Sequence, residues 1–253
     1  MRPRVLACSL LAALAFTGCA AHRFSRQRIG VLPAPAAPLA IDERSALALD
    51  AARSELTRQY FDLHAPGLGL QAPFRMEPKV VVVHYTVSPT LESTFRLFRQ
   101  PEIDAGRDQV AANGRLNVGV QFVVDRDGRI YRLFPETTMT RHVIGLNHVA
   151  IGIENIGAED ISAEQLDGRA PADGNGRQLT PAQLAANVAL IRDLKSRHPG
   201  LAWVIGHQEY RDFEHPGHPG RSLFVEALPG YRTAKRDPGE RFMRELRRRL
   251  PAP

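Results

Sequence analysis

Apolar positions recur along the chain with two different spacings, and each spacing predicts one type of secondary structure. Apolar residues three or four positions apart predict helices over about 42–63, 90–98 and 180–197 and from 239 onward. Continuous or alternating apolar runs predict strands over about 80–83, 118–124, 129–134, 149–156 and 201–205. Because helices interleave with strands, we expect an α/β fold: a single domain over 42–253 with a mixed central β-sheet and helices on both faces.

Turn and capping residues mark the ends of several of these elements. Thr180-Pro181-Ala182-Gln183 has the residues of a capping box with proline at the first helical position, so it predicts the start of a helix. Asp125-Arg126-Asp127-Gly128 separates two predicted strands and predicts a hairpin. Gly152 interrupts the run 149–156, which indicates that another group approaches the backbone closely there.

The N-terminal stretch has the composition of an export signal. Arg2 and Arg4 precede an apolar stretch over 5–16, which is shorter than the roughly 20 residues that span a membrane. Thr17-Gly18-Cys19 follows and resembles a bacterial lipobox, so 1–18 is predicted to be a lipoprotein signal peptide that leaves Cys19 lipidated. The alternative is a plain signal peptide, cut a residue or two further on.

The stretch after the signal predicts how the protein is held. Residues 19–41 are rich in proline and alanine, which suits an extended tether rather than a packed element. Under Gram-negative sorting, Ala20 rather than aspartate after the cysteine favours the outer membrane. We therefore expect an exported protein that is anchored by lipid in the outer membrane and faces the periplasm.

Charge and cysteine content exclude some classes of function. The 253 residues carry a formal net charge of +6, and removing Arg2 and Arg4 with the leader leaves +4. This mild, scattered excess does not predict a nucleic-acid-binding surface. Both cysteines, Cys8 and Cys19, lie near the N-terminus, so neither a disulfide nor a cysteine metal ligand is expected within the folded domain.

Three residues far apart in sequence have the chemistry of a catalytic metal site. His84 ends the β-branched run 80–83, His207 follows the last predicted strand, and Asp237 precedes a Pro-Gly turn. Two imidazoles and one carboxylate can supply the three protein ligands of a catalytic zinc, whose fourth position stays open for water. This set indicates a hydrolase.

Several sequence blocks that contain these residues occur in an order known from one family. The blocks are Val83-His84-Tyr85-Thr86, 121–128, 142–157, Gly206-His207 and Lys235-Arg236-Asp237-Pro238-Gly239. Together they resemble the zinc-dependent N-acetylmuramoyl-L-alanine amidases of type 2, a group that includes phage lysozyme-type amidases and peptidoglycan recognition proteins. The resemblance covers about 80–239.

The resemblance implies hydrolysis of the amide that joins the lactyl group of N-acetylmuramic acid to L-alanine of the stem peptide. It implies that His84, His207 and Asp237 bind one zinc ion per chain. Glu154 matches the acidic residue that activates water, and Lys235 matches the lysine that stabilises the developing oxyanion.

Two further residues are candidates for substrate contact. His142 matches a family histidine near the cleft, so it is assigned to substrate contact, with a structural role as the alternative. Asn147 could line the same groove. The implied partner is peptidoglycan or its muropeptide fragments, whose carboxylates suit a mildly basic protein, and we expect a monomer that binds no nucleic acid.

One departure from the family leaves the third metal ligand open. The carboxylate usually follows the second histidine by about ten residues, whereas here the insertion 209–232 intervenes. His218 lies in this insertion and could take the place of Asp237, although Lys235 and the Pro-Gly pair are in register with Asp237. We expect the insertion to shape the substrate groove.

Two other functions remain as alternatives at this stage. A recognition module would bind peptidoglycan without cutting it, and such relatives commonly lack a metal ligand. A zinc peptidase would cut within the stem peptide, and its products would separate it from an amidase.

Overall fold

The computed structural model of this protein describes residues 24–31, 37–88, 90–104 and 106–251. Within these ranges the strands are β1 Ile41–Asp42, β2 Val80–Tyr85, β3 Phe122–Val124, β4 Ile130–Arg132, β5 Ala150–Asn155 and β6 Trp203–Gly206. The α-helices are α1 Ala51–His64, α2 Leu91–Arg99, α3 Asp108–Ala111, α4 Ala163–Leu166, α5 Pro181–Arg197 and α6 Glu240–Arg248. Short 3-10 turns lie at Pro66–Leu68, His207–Glu214 and Arg221–Leu223. The predicted signal peptide and Cys19 lie outside the described residues.

The six strands form one mixed sheet in the order β1-β4-β3-β5-β2-β6. Only the hairpin pair β3 and β4 is antiparallel, and every other neighbouring pair is parallel. The predicted single α/β domain with a mixed central sheet is therefore confirmed. Three parallel neighbours, β5, β2 and β6, end at the same edge of the sheet, and this edge carries the candidate chemistry.

Side chains along β2 alternate between the two faces of the sheet. Val81 and Val83 lie in a core cluster that α5 and α6 cover, whereas Val80 and Val82 lie in a separate cluster on the opposite face. Because the period is two, His84 projects to the same face as Val80 and Val82. On that opposite face α2 packs through Phe98, so helices cover both sides of the sheet.

The helix predicted over 42–63 begins later than expected. α1 starts at Ala51, because the Asp50 side chain accepts the backbone N–H of Arg53 at 2.8 Å and caps the helix there. Upstream, β1 pairs with β4 and adds a strand to the sheet. A strand of two residues has too few positions to show a period, so the sequence pattern did not reveal it.

Residues 24–31 pack against the domain, which corrects this part of the tether predicted over 19–41. The Ile29 N–H donates to Ala202 O at 3.0 Å, beside the edge strand β6. The side chains of Phe24 and Ile29 are buried, so this segment stabilises an otherwise open sheet edge. Among the described residues, no helix combines the length and the apolar character needed to cross a bilayer.

Gln27 connects this segment to the insertion. Its side chain donates to Asp212 at 2.7 Å and contacts His218 Nε2 at 3.0 Å, and the residue is only 1% exposed. We predict that Gln27→Ala lowers the free energy of unfolding by about 2 kcal/mol, because it removes the partner of the buried His218 Nε2. Urea unfolding measures this change.

Gln59→Ala is the matched control, because Gln59 lies exposed on α1. Its free energy of unfolding is expected to stay within about 0.5 kcal/mol of the wild type. Equal stability of the Gln27 variant and this control would contradict a packed N-terminal segment.

Candidate metal centre and active site

Three of the predicted site residues meet at the carboxyl edge of the sheet because of strand register. His84 is the penultimate residue of β2 and lies directly opposite Glu154 of β5. His207 is the first residue after β6, which pairs with the other side of β2. Since β2, β5 and β6 are parallel, their C-terminal ends lie side by side, and side chains there share one site.

Asp237 joins the two histidines at this edge. The Nδ1 atoms of His84 and His207 lie 2.9 Å apart. One carboxylate oxygen of Asp237 lies 3.1 Å from His84 Nδ1 and 3.0 Å from His207 Nδ1. These three atoms form a nearly equilateral triangle, and the site is largely buried, with His84 3% and His207 7% exposed.

This donor set fits a zinc ion. Each Nδ1 carries at most one hydrogen and an ionised Asp237 carries none, so at most two of the three contacts can be hydrogen bonds and one pair of atoms is left without a proton between them. Two ligands of a tetrahedral zinc lie ~3.3 Å apart when each is ~2.0 Å from the metal, which is close to the observed triangle. Imidazole nitrogen and carboxylate oxygen are both ordinary zinc ligands.

The protonation states also suit a metal site. Burial, helped by the neighbouring His84, lowers the pKa of His207 to about 4, so this ring is neutral at pH 7. Burial alone would raise the pKa of Asp237, but contacts with His207 and then His84 outweigh it and hold that pKa well below its usual range. Asp237 is therefore ionised at neutral pH.

The loop of Asp237 is fixed next to His207 by the backbone. The Gln208 N–H donates to Asp237 O at 3.1 Å. A Cβ at Gly206 would lie 2.9 Å from Pro238 Cδ, so only glycine lets the chain come this close. This contact explains how the carboxylate reaches the site although the insertion separates it from His207.

His218, the alternative ligand, is engaged elsewhere. Its Nδ1 accepts the Gly220 N–H at 3.0 Å, and its Nε2 lies 3.0 Å from the side-chain oxygen of Gln27. The ring is buried against Phe213 and Trp203. Both ring nitrogens are thus occupied, and Asp237 is the residue brought to the histidines.

Glu154 lies beside the triangle as a buried carboxyl group. It is 9% exposed, and burial raises its pKa to about 7, a shift that His84 opposes and Asp237 increases. A carboxyl group with this pKa can exchange a proton near neutral pH. Lys235 is exposed and lines the same cleft as His207.

A groove of about 590 Å³ leads to the triangle. One wall consists of residues 228–233, at and just after the end of the insertion, and the other contains Arg107, Val110, Ala112 and Asn113. Arg141 connects the two walls, since its guanidinium donates to Asn113 O at 3.1 Å and to the Tyr231 hydroxyl at 3.2 Å. The insertion thus shapes the groove, whereas the role of Arg141 was not predicted.

The two residues predicted to contact substrate have partners inside the protein. His142 lines the groove, but its Nδ1 lies 3.0 Å from His84 Nε2 and its Nε2 lies 3.2 Å from Ala150 O. The Asn147 side-chain oxygen accepts the N–H of His142 at 2.9 Å, and its nitrogen donates to the Tyr60 hydroxyl at 3.0 Å. Substrate contact by either residue stays a prediction, because these bonds give both a bracing role.

Gly152 marks the close approach that the strand pattern predicted. A Cβ at this position would lie 3.0 Å from the His142 ring and 2.8 Å from Val120. The groups that approach the backbone are thus the Val120 side chain and the imidazole that contacts His84. Sequence alone indicated the approach but not its partner.

We predict that the wild-type chain binds one zinc ion and that Asp237→Ala loses this binding. Adding zinc to chelator-treated wild-type protein should raise the midpoint of thermal unfolding, because only the folded state binds the metal. Removing one of three ligands should weaken binding by at least tenfold. His218→Ala should keep full zinc stoichiometry, and loss of zinc in that variant but not in Asp237→Ala would contradict the site.

We predict a pH-dependent gain of stability for Glu154→Gln in the metal-free protein. Because the folded-state pKa of about 7 exceeds the ordinary value of 4.5, the stability linked to Glu154 is complete below pH 4.5 and is lost as the pH rises through 7. Relative to wild type, the variant should therefore gain up to about 3 kcal/mol between pH 4.5 and 8. Urea unfolding in the presence of chelator measures this, and a difference that does not change with pH would contradict a buried Glu154.

The chain is also similar to known proteins. The sequence profile of the N-acetylmuramoyl-L-alanine amidase family matches residues 74–240. An endolysin of Klebsiella phage KP32 is 28% identical over 94 residues, which cover 37% of this chain and 56% of the endolysin, so the chain spans little more than half of that relative.

Two solved structures illustrate the similarity to known proteins. LysC, an N-acetylmuramoyl-L-alanine amidase from Clostridium intestinale, is 25% identical with a TM-score of 0.38 over 59% of this chain and 85% of its own. A selenomethionine derivative of AmpD is 19% identical with a TM-score of 0.44 over 82% of this chain and 99% of its own. Since the family profile matches more than half of the residues of this chain, the chain belongs to the N-acetylmuramoyl-L-alanine amidase family.

Proposed function

We propose that this protein is a zinc-dependent amidase that hydrolyses the bond between N-acetylmuramic acid and L-alanine in peptidoglycan or its fragments. The observation that carries the proposal is the triangle of His84, His207 and Asp237 beside the buried Glu154, at the end of a groove. Membership of the amidase family supports the choice of bond.

His84, His207 and Asp237 would hold the metal. A zinc ion bound there would act as a Lewis acid toward the amide carbonyl and lower the pKa of a bound water molecule. The protein contributes the arrangement of the ligands, their neutral or ionised states and a site largely closed to bulk water.

Glu154 is the proposed general base and acid. Its pKa of about 7 lets the carboxylate take a proton from the attacking water and then release it to the departing amine of L-alanine. Burial next to His84 keeps this proton exchange local. A solvent-exposed glutamate, with a pKa near the ordinary value of 4.5, would be a weaker base and would rarely hold the proton that it must deliver.

Lys235 is the proposed oxyanion stabiliser. It stands two residues before Asp237 on the same loop and lines the groove with His207, so its ammonium group can approach a carbonyl oxygen held at the triangle. A positive charge there offsets the negative charge that develops when water adds to the amide.

We also propose that the protein acts as a monomer from a lipid anchor on the outer membrane, facing the periplasm. The lipobox-like end of the leader supports an anchor at Cys19. Phe24, which packs on the domain, is only five positions further on, so the extended chain between them reaches at most about 18 Å. The anchored domain would therefore stay close to the membrane surface and meet peptidoglycan there.

The test is mass spectrometry of products from purified peptidoglycan, with and without chelator. Free stem peptides that begin at L-alanine are expected, and they should disappear with chelator and with Glu154→Ala. Lys235→Met should lower kcat by about 10²–10³-fold, the usual effect of losing one oxyanion donor. Lys79→Met, which changes the residue just before β2, serves as the control and should leave kcat unchanged.

Other outcomes identify the other functions. Peptides cut within the stem would show a peptidase. Binding of peptidoglycan without any product, despite bound zinc, would show a recognition module and would contradict the amidase.

A further inference from the structure

We propose that His142 is a positioning residue, which sets the proton of His84 so that the Nδ1 lone pair of His84 faces the metal. The inference rests on the proposed zinc site and adds to it a hydrogen-bond relay through His84, His142 and the Ala150 carbonyl. This relay lies behind the metal ligand, on the side away from Asp237 and His207.

The outer end of the relay fixes the proton of His142. Ala150 O, a backbone carbonyl, can only accept, and His142 Nε2 lies 3.2 Å from it. His142 Nε2 therefore carries the hydrogen. In a neutral imidazole the other nitrogen is then an acceptor, so His142 Nδ1 presents a lone pair to its neighbour 3.0 Å away, His84 Nε2.

The inner end of the relay requires the same arrangement. A metal ligand must offer a bare nitrogen, and His84 faces the triangle with Nδ1. A neutral His84 then has its hydrogen on Nε2, which must donate to an acceptor because it is buried. His142 Nδ1 is that acceptor. The metal and the Ala150 carbonyl therefore both require hydrogens on Nε2 of His84 and Nε2 of His142.

The reversed arrangement is costly at both ends. If His84 carried its hydrogen on Nδ1, that hydrogen would point into the triangle and compete with the metal. His84 Nε2 would then need a donor, and His142 could donate from both nitrogens only as a cation. Among the described contacts of the His142 ring there is no carboxylate to offset such a charge, only His84 and the Ala150 carbonyl.

Three features hold the His142 ring where the relay needs it. Gly152 leaves space below the ring, since a Cβ there would lie 3.0 Å from it. Asn147 accepts the backbone N–H of His142 and of Val143, at 2.9 and 2.8 Å. Tyr60 on α1 accepts from Asn147, so a helix that precedes the family match at 74–240 helps to brace the site.

The test compares two substitutions of His142 that differ in hydrogen bonding. His142→Leu fills much of the space but can neither accept from His84 nor donate to Ala150. His142→Gln retains one acceptor and one donor on a planar group, so it can restore the relay. His148→Leu is the control, because this partly buried histidine lies on the same loop away from the triangle.

Zinc affinity is measured by competition with a chromophoric chelator, with circular dichroism to confirm that each variant is folded. Loss of an outer-shell partner usually weakens metal binding by 10–100-fold. We expect such a loss in His142→Leu, recovery of at least half of it on a logarithmic scale in His142→Gln, and wild-type affinity in His148→Leu. In zinc-saturated wild type, nitrogen-15 spectra should show a slowly exchanging hydrogen on His84 Nε2, and this exchange should accelerate in His142→Leu.

Different failures have different meanings. If the wild type binds no zinc, the proposed function fails and the relay fails with it. If the wild type binds zinc but His142→Leu does so equally well, or His142→Gln is as weak as His142→Leu, only the relay is overturned. A hydrogen found on His84 Nδ1 in the zinc-saturated protein would also overturn it.

Discussion

The candidate site depends on three ligand atoms whose lone pairs face one point. His84, His207 and Asp237 place two nitrogens and one oxygen within about 3 Å of one another, where protons cannot satisfy all of them. Such crowding is stable only if the surrounding fold holds each group rigidly or if a cation binds. Parallel strand ends supply the rigidity for the two histidines, and the contact between Gln208 and the Asp237 backbone supplies it for the carboxylate.

Two carboxyl groups near this point differ in pKa because their environments differ. Asp237 contacts two imidazoles and is ionised, whereas burial raises the pKa of Glu154 to about 7, although His84 and, less strongly, Lys235 oppose this shift. One carboxylate is therefore suited to hold a metal and the other to move a proton. The same strand register that brings Glu154 opposite His84 thus sets its chemistry as well as its position.

Sequence was sufficient to predict the elements with a strong local pattern. The valine run of β2, the Asp-Gly turn of the β3–β4 hairpin and the capping box of α5 each form as predicted, because short-range sterics and hydrogen bonds determine them. The grouping of His84, His207 and Asp237 was also predicted, since the two histidines lie at strand ends and Asp237 precedes a Pro-Gly turn. Resemblance to the family was needed to choose Asp237 over His218.

Contacts between distant parts of the chain could not be predicted in this way. Gln27 bonds to Asp212, 185 residues further on, so the composition of 19–41 indicated a tether where part of the segment is packed. His142 was assigned to substrate contact because it matches a family histidine near the cleft. Its bond to His84 depends on the space above Gly152, which only the folded sheet reveals.

Anomalous diffraction at the zinc edge, from crystals of the zinc-loaded protein, tests the central claim most directly. One zinc peak is expected about 2.0–2.2 Å from Nδ1 of His84, Nδ1 of His207 and a carboxylate oxygen of Asp237. A peak at His218, or coordination of His84 through Nε2, would contradict the account.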